Sequence, residues 1–240
     1  MKVSCIMPCF NTKEEIHNLT KMAVESIREA GEVELIIVDN GSTFAPGYLK
    51  SVADIYIKNE ENLGYPHAVN QGLKIGTGDV FCISNNDVRV SENIFKVGLE
   101  ILKDTKIGSV HFKMIPYDHE FRFGDKLWKT GKERWCTSSF FLIKREALPK
   151  GYYDTKFGAG SYDDYDFWYR VRQNGWLTAY TNKSAYQHWG SHTFQDMGNR
   201  SEIDKRNLQY FFDKWGKQPE QLFSEQYPEQ WQINYLKGFE

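Results

Sequence analysis

The sequence lacks a surplus of either charge: its 240 residues carry 30 Lys plus Arg against 32 Asp plus Glu. That balance argues against nucleic acid as the main partner, because binding a phosphate backbone shows as a basic excess or stripe. No apolar run approaches about 18 residues, so no membrane-spanning helix is predicted. The start, Met-Lys-Val-Ser-Cys-Ile-Met-Pro, is too short and too broken for a secretory leader. Cysteines are few. Cys5, Cys9, Cys82 and Cys136 are scattered among apolar residues, and Cys5 and Cys9 have no second pair and no neighbouring His. This argues against a zinc cluster and predicts buried free thiols, which fits a reducing compartment. A soluble, cytoplasmic protein is the expectation. Aromatics are scarce in one half only. Of 7 Trp, 14 Tyr and 16 Phe, all but Phe10, Phe44, Tyr48, Tyr56, Tyr65, Phe81 and Phe95 follow residue 110.

What is present is a globular composition, 40% hydrophobic and 26% charged. A chain of this length buries roughly 70–75% of its unfolded surface, enough for a full core. Lys2–Met7 reads as a buried strand stopped by Pro8. Lys13–Ala30 carries Ile16, Leu19, Met22, Ala23 and Ile27 on one face, a helical stripe ended by Gly31. Val33–Val38, Asp54–Ile57, Val80–Ser84 and Ile107–Phe112 read as further strands. Tyr65–Ile75 and Ile94–Leu102 read as helices, the second with Ser91 as its N-cap. Strands alternating with helices predict an α/β fold with a mainly parallel sheet and flanking helices. Ligands of such sheets sit beyond the carboxyl ends of the strands. Polar clusters fall at three of those ends, Pro8–Asn11, Asp39–Ser42 and Asn85–Asp87, which points to one shared cleft.

After residue 112 the pattern changes. Residues 113–135 are polar, aromatic and irregular. Cys136–Lys144 reads as a strand, Tyr162–Gln173 as a helix ended by Asn174-Gly175, Trp176–Tyr180 and Ala185–His188 as two short strands. Glu202–Trp215 has Leu208, Phe211, Phe212 and Trp215 on one face. Its cations Lys205, Arg206 and Lys214 are matched by Glu202, Asp204 and Asp213, which favours packing on the domain over lying on a membrane. The expected organisation is one domain over 1–215 in two halves (1–112 and 113–215), with a C-terminal extension (216–240).

Six blocks in order carry a resemblance: Val-Ser-Cys-Ile-Met-Pro-Cys-Phe-Asn, Leu-Ile-Ile-Val-Asp-Asn-Gly-Ser, Asn-Leu-Gly-Tyr-Pro-His-Ala-Val-Asn-Gln-Gly, Gly-Asp-Val-Phe-Cys-Ile-Ser-Asn-Asn-Asp-Val, Tyr-Asp-Asp-Tyr-Asp-Phe-Trp-Tyr-Arg-Val-Arg-Gln-Asn-Gly and Gln-His-Trp-Gly-Ser-His-Thr. Together they resemble the successive blocks of family 2 glycosyltransferases over residues 2–215. The resemblance implies a GT-A fold, a nucleotide-sugar-binding half over 1–112 with UDP favoured in the donor, an acceptor-binding half over 113–215 for a glycan or glycoconjugate, and inversion at the anomeric carbon.

The candidate residues have chemistry of their own. Asp39 ends a strand at the cleft, and a carboxylate accepts the imide N–H of uracil; the other reading is a turn-starting Asp that bonds its own backbone. Gly41 suits a tight turn beneath a nucleotide. Pro8, Phe10 and Asn11 would line the opposite wall, although Phe10 also suits the core. Asn62 and Gly64 are placed near base and ribose by the resemblance, against the reading of Asn62 as a local cap. Asn85-Asn86-Asp87 stands where the family carries Asp-x-Asp. Only Asp87 of the three is a carboxylate; by the resemblance it would hold a Mn2+ or Mg2+ on the diphosphate, and Asn86 would contact the ribose or a metal-bound water. By the same resemblance His188 completes the metal site, and imidazole suits Mn2+ better than Mg2+.

The resemblance places the catalytic base at Asp164 and acceptor binding at Asp163. A carboxylate in a partly closed cleft can take the proton of an attacking hydroxyl, and its like-charged neighbour raises its pKa. Both acids also suit a helix N-terminus. Asp166 pairs with Arg170 at i+4 as a structural bridge. Trp135, Trp168 and Trp189 flank the motifs, and Trp135 and Trp189 are the candidate acceptor platforms, although a Trp is as readily core. Two other classes stay open, a catalytically silent carbohydrate-binding module and a sugar-phosphate nucleotidyltransferase. The second would want a Gly-rich, Arg-bearing loop after the first strand, where Pro8–Asn11 stands.

Overall fold

The computed structural model describes residues 1–124, 127–130, 138–190 and 200–224. Four strands form the first half of one sheet: β1 (Val3–Cys9), β2 (Glu34–Asn40), β3 (Ile55–Asn59) and β4 (Val80–Ser84). β1, β2 and β4 are near-continuous apolar runs because both of their faces are covered. On one face α1 (Glu14–Ala30) supplies Ala23, Val24 and Ile27, α2 (Pro46–Val52) supplies Leu49 and α4 (Ile94–Ile101) supplies Ile94 and Phe95. On the other, α3 (Tyr65–Ile75) and α5 (Asp163–Gln173) supply Ala68, Val69, Leu73, Phe167, Trp168 and Val171. Strand alternation explains the division: Cys5 and Met7 point to the first layer and Ile6 to the second.

The second half adds β5 (Val88–Val90), β6 (Ile107–Ile115), β7 (Leu127–Thr130), β8 (Phe140–Lys144) and β9 (Leu177–His188). The order is β3-β2-β1-β4-β8-β6-β9-β5, with β7 also pairing with β9. β1 to β4, β6 and β9 run in one direction, and β8, β5 and β7 run against them. The sheet is thus mixed, parallel over β1 to β4 and between β6 and β9, and antiparallel where β8, β5 and β7 pair.

Most expected elements stand within a few residues of their expected ends. The two short strands expected at 176–180 and 185–188 are one strand, β9. Phe112 pairs with Thr181 and Lys113 with Ala185, so residues 182–184 bulge out, and this polar bulge is what reads as a break. The three-residue β5 and the short α2 carry too little periodicity to be read. Ser91 does not cap α4. Asn93 precedes the helix, and the Ser91 hydroxyl instead lies 2.7 Å from that of Ser184, tying the bulge to the sheet edge. Cys5, Cys9 and Cys82 are buried free thiols, whereas Cys136 lies outside the described residues.

Helix α6 (Arg200–Trp215) packs on the domain, as its balanced charge predicts. Lys214 Nζ lies 2.6 Å from Asp154 Oδ2 and 2.7 Å from Asp166 Oδ1, and Trp215 Nε1 donates to Asp166 at 3.0 Å. Asp166 is fully buried, and Arg170 closes its other oxygen at 2.9 Å, which is the i+4 bridge expected from sequence. A buried carboxylate is tolerable only with such compensation. Packing continues into α7 (Pro219–Ser224), where Leu222 joins Phe157 and Phe211. No helix among the described residues is long and apolar enough to cross a membrane.

Candidate active site

The three polar strand ends meet, and their side chains first satisfy one another. Asn11 and Asn86 are both buried. Asn86 Nδ2 donates to Thr20 Oγ1 at 2.9 Å and to Asn11 Oδ1 at 3.2 Å, while Thr20 Oγ1 donates to Asn11 Oδ1 at 3.0 Å. The amide of Asn86 is therefore spent on joining the ends of β4 and β1. Pro8 and Phe10 beside them are half-buried. Asp39 is fully buried and takes its turn-forming role: Oδ1 accepts from the Ser42 N–H at 2.8 Å and Oδ2 from the Tyr56 hydroxyl at 2.6 Å. Burial and then this carboxylate push the Tyr56 phenol well above its ordinary range. Each carboxylate oxygen keeps a further lone pair for a ligand.

The loop at 62–64 is held from β2. Asn40 Nδ2 donates to Asn62 Oδ1 at 2.8 Å, and that oxygen also accepts from the Gly64 N–H at 2.9 Å, so Asn62 does cap its own turn. Gly41 and Gly64 have φ of +87° and +88°, a region glycine enters without steric cost. A Cβ on Gly41 would meet the Glu61 carbonyl carbon at 2.8 Å, and one on Gly64 would meet the Gly158 oxygen at 2.1 Å. The close approach that Gly64 permits is thus to the loop leading into α5.

That loop ends in two successive left-handed residues, Ser161 at φ 76° and Tyr162 at φ 63°. Such positions cost about 1–3 kcal/mol each for residues with a Cβ, so the surrounding packing must hold them. They set Asp163 and Asp164 at the N-terminus of α5. Asp163 is buried and Asp164 half-buried. Burial raises the pKa of both, and the neighbouring Asp164 charge raises Asp163 further. Asp164 Oδ1 accepts from the Tyr165 N–H at 2.9 Å. Of the two, Asp164 is the less buried.

Asp87 and His188 come together across the β5–β9 pair, where Val88 is opposite His188. Nε2 of His188 lies 3.1 Å from Asp87 Oδ1 and 3.3 Å from Asn85 Nδ2, and the Trp189 N–H donates to the Asp87 carbonyl at 3.0 Å. Adjacent ligands on one octahedral cation with bonds of about 2.1 Å stand about 3 Å apart. One carboxylate oxygen and one imidazole nitrogen at this spacing therefore fit a divalent ion such as Mn2+. No group of three or more His, Cys, Asp or Glu that could hold a metal occurs among the described residues. A bound ion would draw its other ligands from water or a substrate's oxygens.

Tyr65 opens α3. Its hydroxyl donates to the Ser138 carbonyl at 3.1 Å. Burial first, then the charges of Asp163, Asp164 and Asp87, hold its phenol well above the ordinary value. Tyr65 and Asn40 lie inside recognised blocks without being candidates from sequence, and Thr20 lies within α1, outside every block. Among the tryptophans, Trp168 is core, 1% exposed against Phe141 and His111. Trp189 is half-buried, its ring 5.8 Å from that of the exposed Tyr117. Trp135 lies outside the described residues.

Residues 4–166 match the family described as Glycosyl transferase family 2, and the chain belongs to it. Its sequence is 31% identical over 121 residues to the poly(ribitol-phosphate) beta-N-acetylglucosaminyltransferase TarP of Staphylococcus aureus (strain N315), a match covering 45% of this chain and 36% of that protein. The chain spans about a quarter to a third of the length of the curated relatives it matches. Its fold is similar to that of S. aureus TarS 1-349 in complex with UDP, with a TM-score of 0.63, 15% identity, and coverage of 78% of this chain and 60% of that one. It is also similar to GalNAc-T7 with UDP, GalNAc and Mn2+, with a TM-score of 0.62, 16% identity, and coverage of 78% and 44%. The mixed α/β sheet with flanking helices is therefore of the GT-A type that the resemblance implies.

Proposed function

We propose that the protein transfers a sugar from a nucleotide-sugar, UDP-linked by preference, to a hydroxyl of a glycan acceptor with inversion, as a hexosyltransferase. The observation that carries this reading is the pairing of Asp87 with His188 at 3.1 Å just past the end of β4, in a chain whose other candidate acid, Asp164, is half-buried at the start of α5. Burial raises the Asp164 pKa, which suits a group that takes a proton from an attacking hydroxyl. Asp163, buried beside it, keeps the pair short of full ionisation and helps place the acceptor. Asp39 reads the uracil imide from the end of β2. Pro8, Phe10, Asn11 and Gly41, with Asn62 and Gly64, shape the wall around base and ribose. Asn86 supports that wall through Asn11.

Asp87 and His188 would hold a divalent cation, Mn2+ by the preference of imidazole. When bound, that ion supplies positive charge to the departing diphosphate. Trp189 borders this pair and offers a flat face to an acceptor sugar. The first 112 residues supply the donor side and the following segments the acceptor side of a single domain. The UDP in the TarS complex and the UDP and Mn2+ in the GalNAc-T7 complex support this choice of donor and ion.

The test is turnover of a panel of nucleotide-sugars with Mn2+, read as release of nucleoside diphosphate. Release from a UDP-sugar that Asp164→Asn removes, with UDP affinity retained, is the expected result. UDP binding with no turnover under any donor and acceptor would instead identify a silent binding module.

A further inference from the structure

Helix α6 lies beyond residue 166, where the family match ends, yet its side chains reach the loop that aims the candidate base. Asn207 is fully buried. Its Nδ2 lies 2.8 Å from the Phe157 carbonyl oxygen, 2.6 Å from that of Gly160 and 3.0 Å from that of Ser161. Arg206 orients this amide, since its Nε donates to Asn207 Oδ1 at 3.0 Å and leaves the NH2 group for the carbonyls. A second Arg206 nitrogen, Nη2, donates to the Phe157 oxygen at 3.1 Å. The same nitrogen would be 2.9 Å from a Cβ on Gly158, so the loop is threaded between Arg206 on one side and Gly64 on the other.

Three of the five carbonyls from Phe157 to Ser161 thus converge on one side chain, immediately before the left-handed Ser161 and Tyr162. Those two residues set the direction in which α5 starts, and with it the Asp163 and Asp164 carboxylates. Left-handed residues with a Cβ persist only where their surroundings over-determine them, and the Asn207 amide supplies that determination from outside the matched region.

We propose that Asn207 is a positioning residue for the Asp163–Asp164 pair, fixing the 157–162 loop so that the base faces the cleft. This rests on the glycosyltransferase reading of the site. Asn207 touches neither substrate nor the reacting atoms. Its effect falls on the chemical step, because small displacements of a catalytic group cost rate more than they cost binding.

The test is Asn207→Asp, which keeps the shape but replaces the NH2 donors by an oxygen that the carbonyls repel. Lys214→Met serves as a control, because it loosens the far end of α6 without touching the loop carbonyls. Turnover of UDP-N-acetylglucosamine and other UDP-sugars, UDP affinity, thermal unfolding and amide exchange of residues 157–164 are measured for both. Expected for Asn207→Asp is faster exchange at 157–164 and a fall in kcat of about tenfold or more, with UDP affinity held within about twofold. Expected for Lys214→Met is a comparable loss of melting temperature with kcat near that of the parent. Unchanged kcat in Asn207→Asp, unchanged exchange, or an equal loss of kcat in Lys214→Met overturns the proposal. The reading beneath it fails separately, if Asp164→Asn turns over the donor at the parent rate or if the parent turns over none of them.

Discussion

His188 Nε2 lies 3.1 Å from Asp87 Oδ1, although the two residues come from opposite halves of the chain. The pairing of Val88 with His188 on β5 and β9 makes this contact, and the Trp189 N–H on the Asp87 carbonyl extends that pairing to Asp87 itself. If the pair holds a cation, a chelator abolishes turnover and Mn2+ restores it. His188→Ala then raises the Mn2+ concentration for half-maximal rate by about tenfold or more. A metal titration of parent and variant checks this, and a rate indifferent to chelator removes the metal from the mechanism.

Asp164→Asn keeps size and hydrogen-bonding capacity but cannot take a proton. Loss of a general base costs about 10²–10⁴ in rate. The expected pattern is a fall of that order in kcat with UDP affinity unchanged, measured by product release and by calorimetry. Near-parental turnover would reassign the base.

Asp39→Asn tests the nucleotide pocket. The amide oxygen can still accept from the Ser42 N–H and the NH2 can donate to the Tyr56 hydroxyl oxygen, but one neutral oxygen is a weaker acceptor than a carboxylate for a uracil imide. The expected loss in UDP affinity is about tenfold, or about 1.4 kcal/mol. An unchanged dissociation constant would confine Asp39 to its turn.

Gly64→Ala forces a side chain into a left-handed position and within 2.1 Å of the Gly158 oxygen. Both effects destabilise, by about 2 kcal/mol or more together. Urea unfolding should show a lower midpoint, and the displaced 157–162 loop should lower kcat as well. A midpoint equal to that of the parent would show that the two loops part without cost.

The acid pair also sets a pH dependence of stability. Burial and Asp164 raise the folded-state pKa of Asp163 above its ordinary value of 3.8. A carboxylic acid with a raised folded-state pKa contributes stability that is full below its unfolded value and lost as the pH rises through its folded one. Asp163→Asn removes that loss, so its melting temperature should exceed that of the parent at pH 8 and match it near pH 3. Glu34 has the opposite sign. Hydrogen bonds from Lys2, Ser4 and Thr77 hold it at about 2 against the opposing effect of burial, so its contribution is present above about 4.5 and disappears as the pH falls toward 2. Glu34→Gln should therefore destabilise at neutral pH and approach the parent at pH 2. Melting curves across pH check both.

Much of the fold was legible because apolar period and turn residues are local. The buried runs of β1, β2 and β4 and the stripe of α1 announce themselves without any partner. The polar strand ends were legible for the same reason, since residues such as Asp39 and Asn86 stand where an apolar run stops. Their side-chain roles were not. Asn86 turns inward to Thr20 and Asn11, and Trp168 joins the core instead of the acceptor side, because those choices depend on what the fold brings opposite them.

The sequence by itself determined the alternating strands and helices, the cleft at their carboxyl ends, and the acids and histidine available to it. Local hydrophobic pattern and residue chemistry suffice for that. Only the tertiary structure decided that Asp87 meets His188, that Asp163 is buried while Asp164 is half-exposed, and that Asn207 grips the loop before them. Each of these follows from strand register or helix docking between distant segments, which no local pattern encodes. The aromatic-rich half divides on the same ground. Trp168 fills the core, while Trp189 and Tyr117 lie together beside the Asp87–His188 pair.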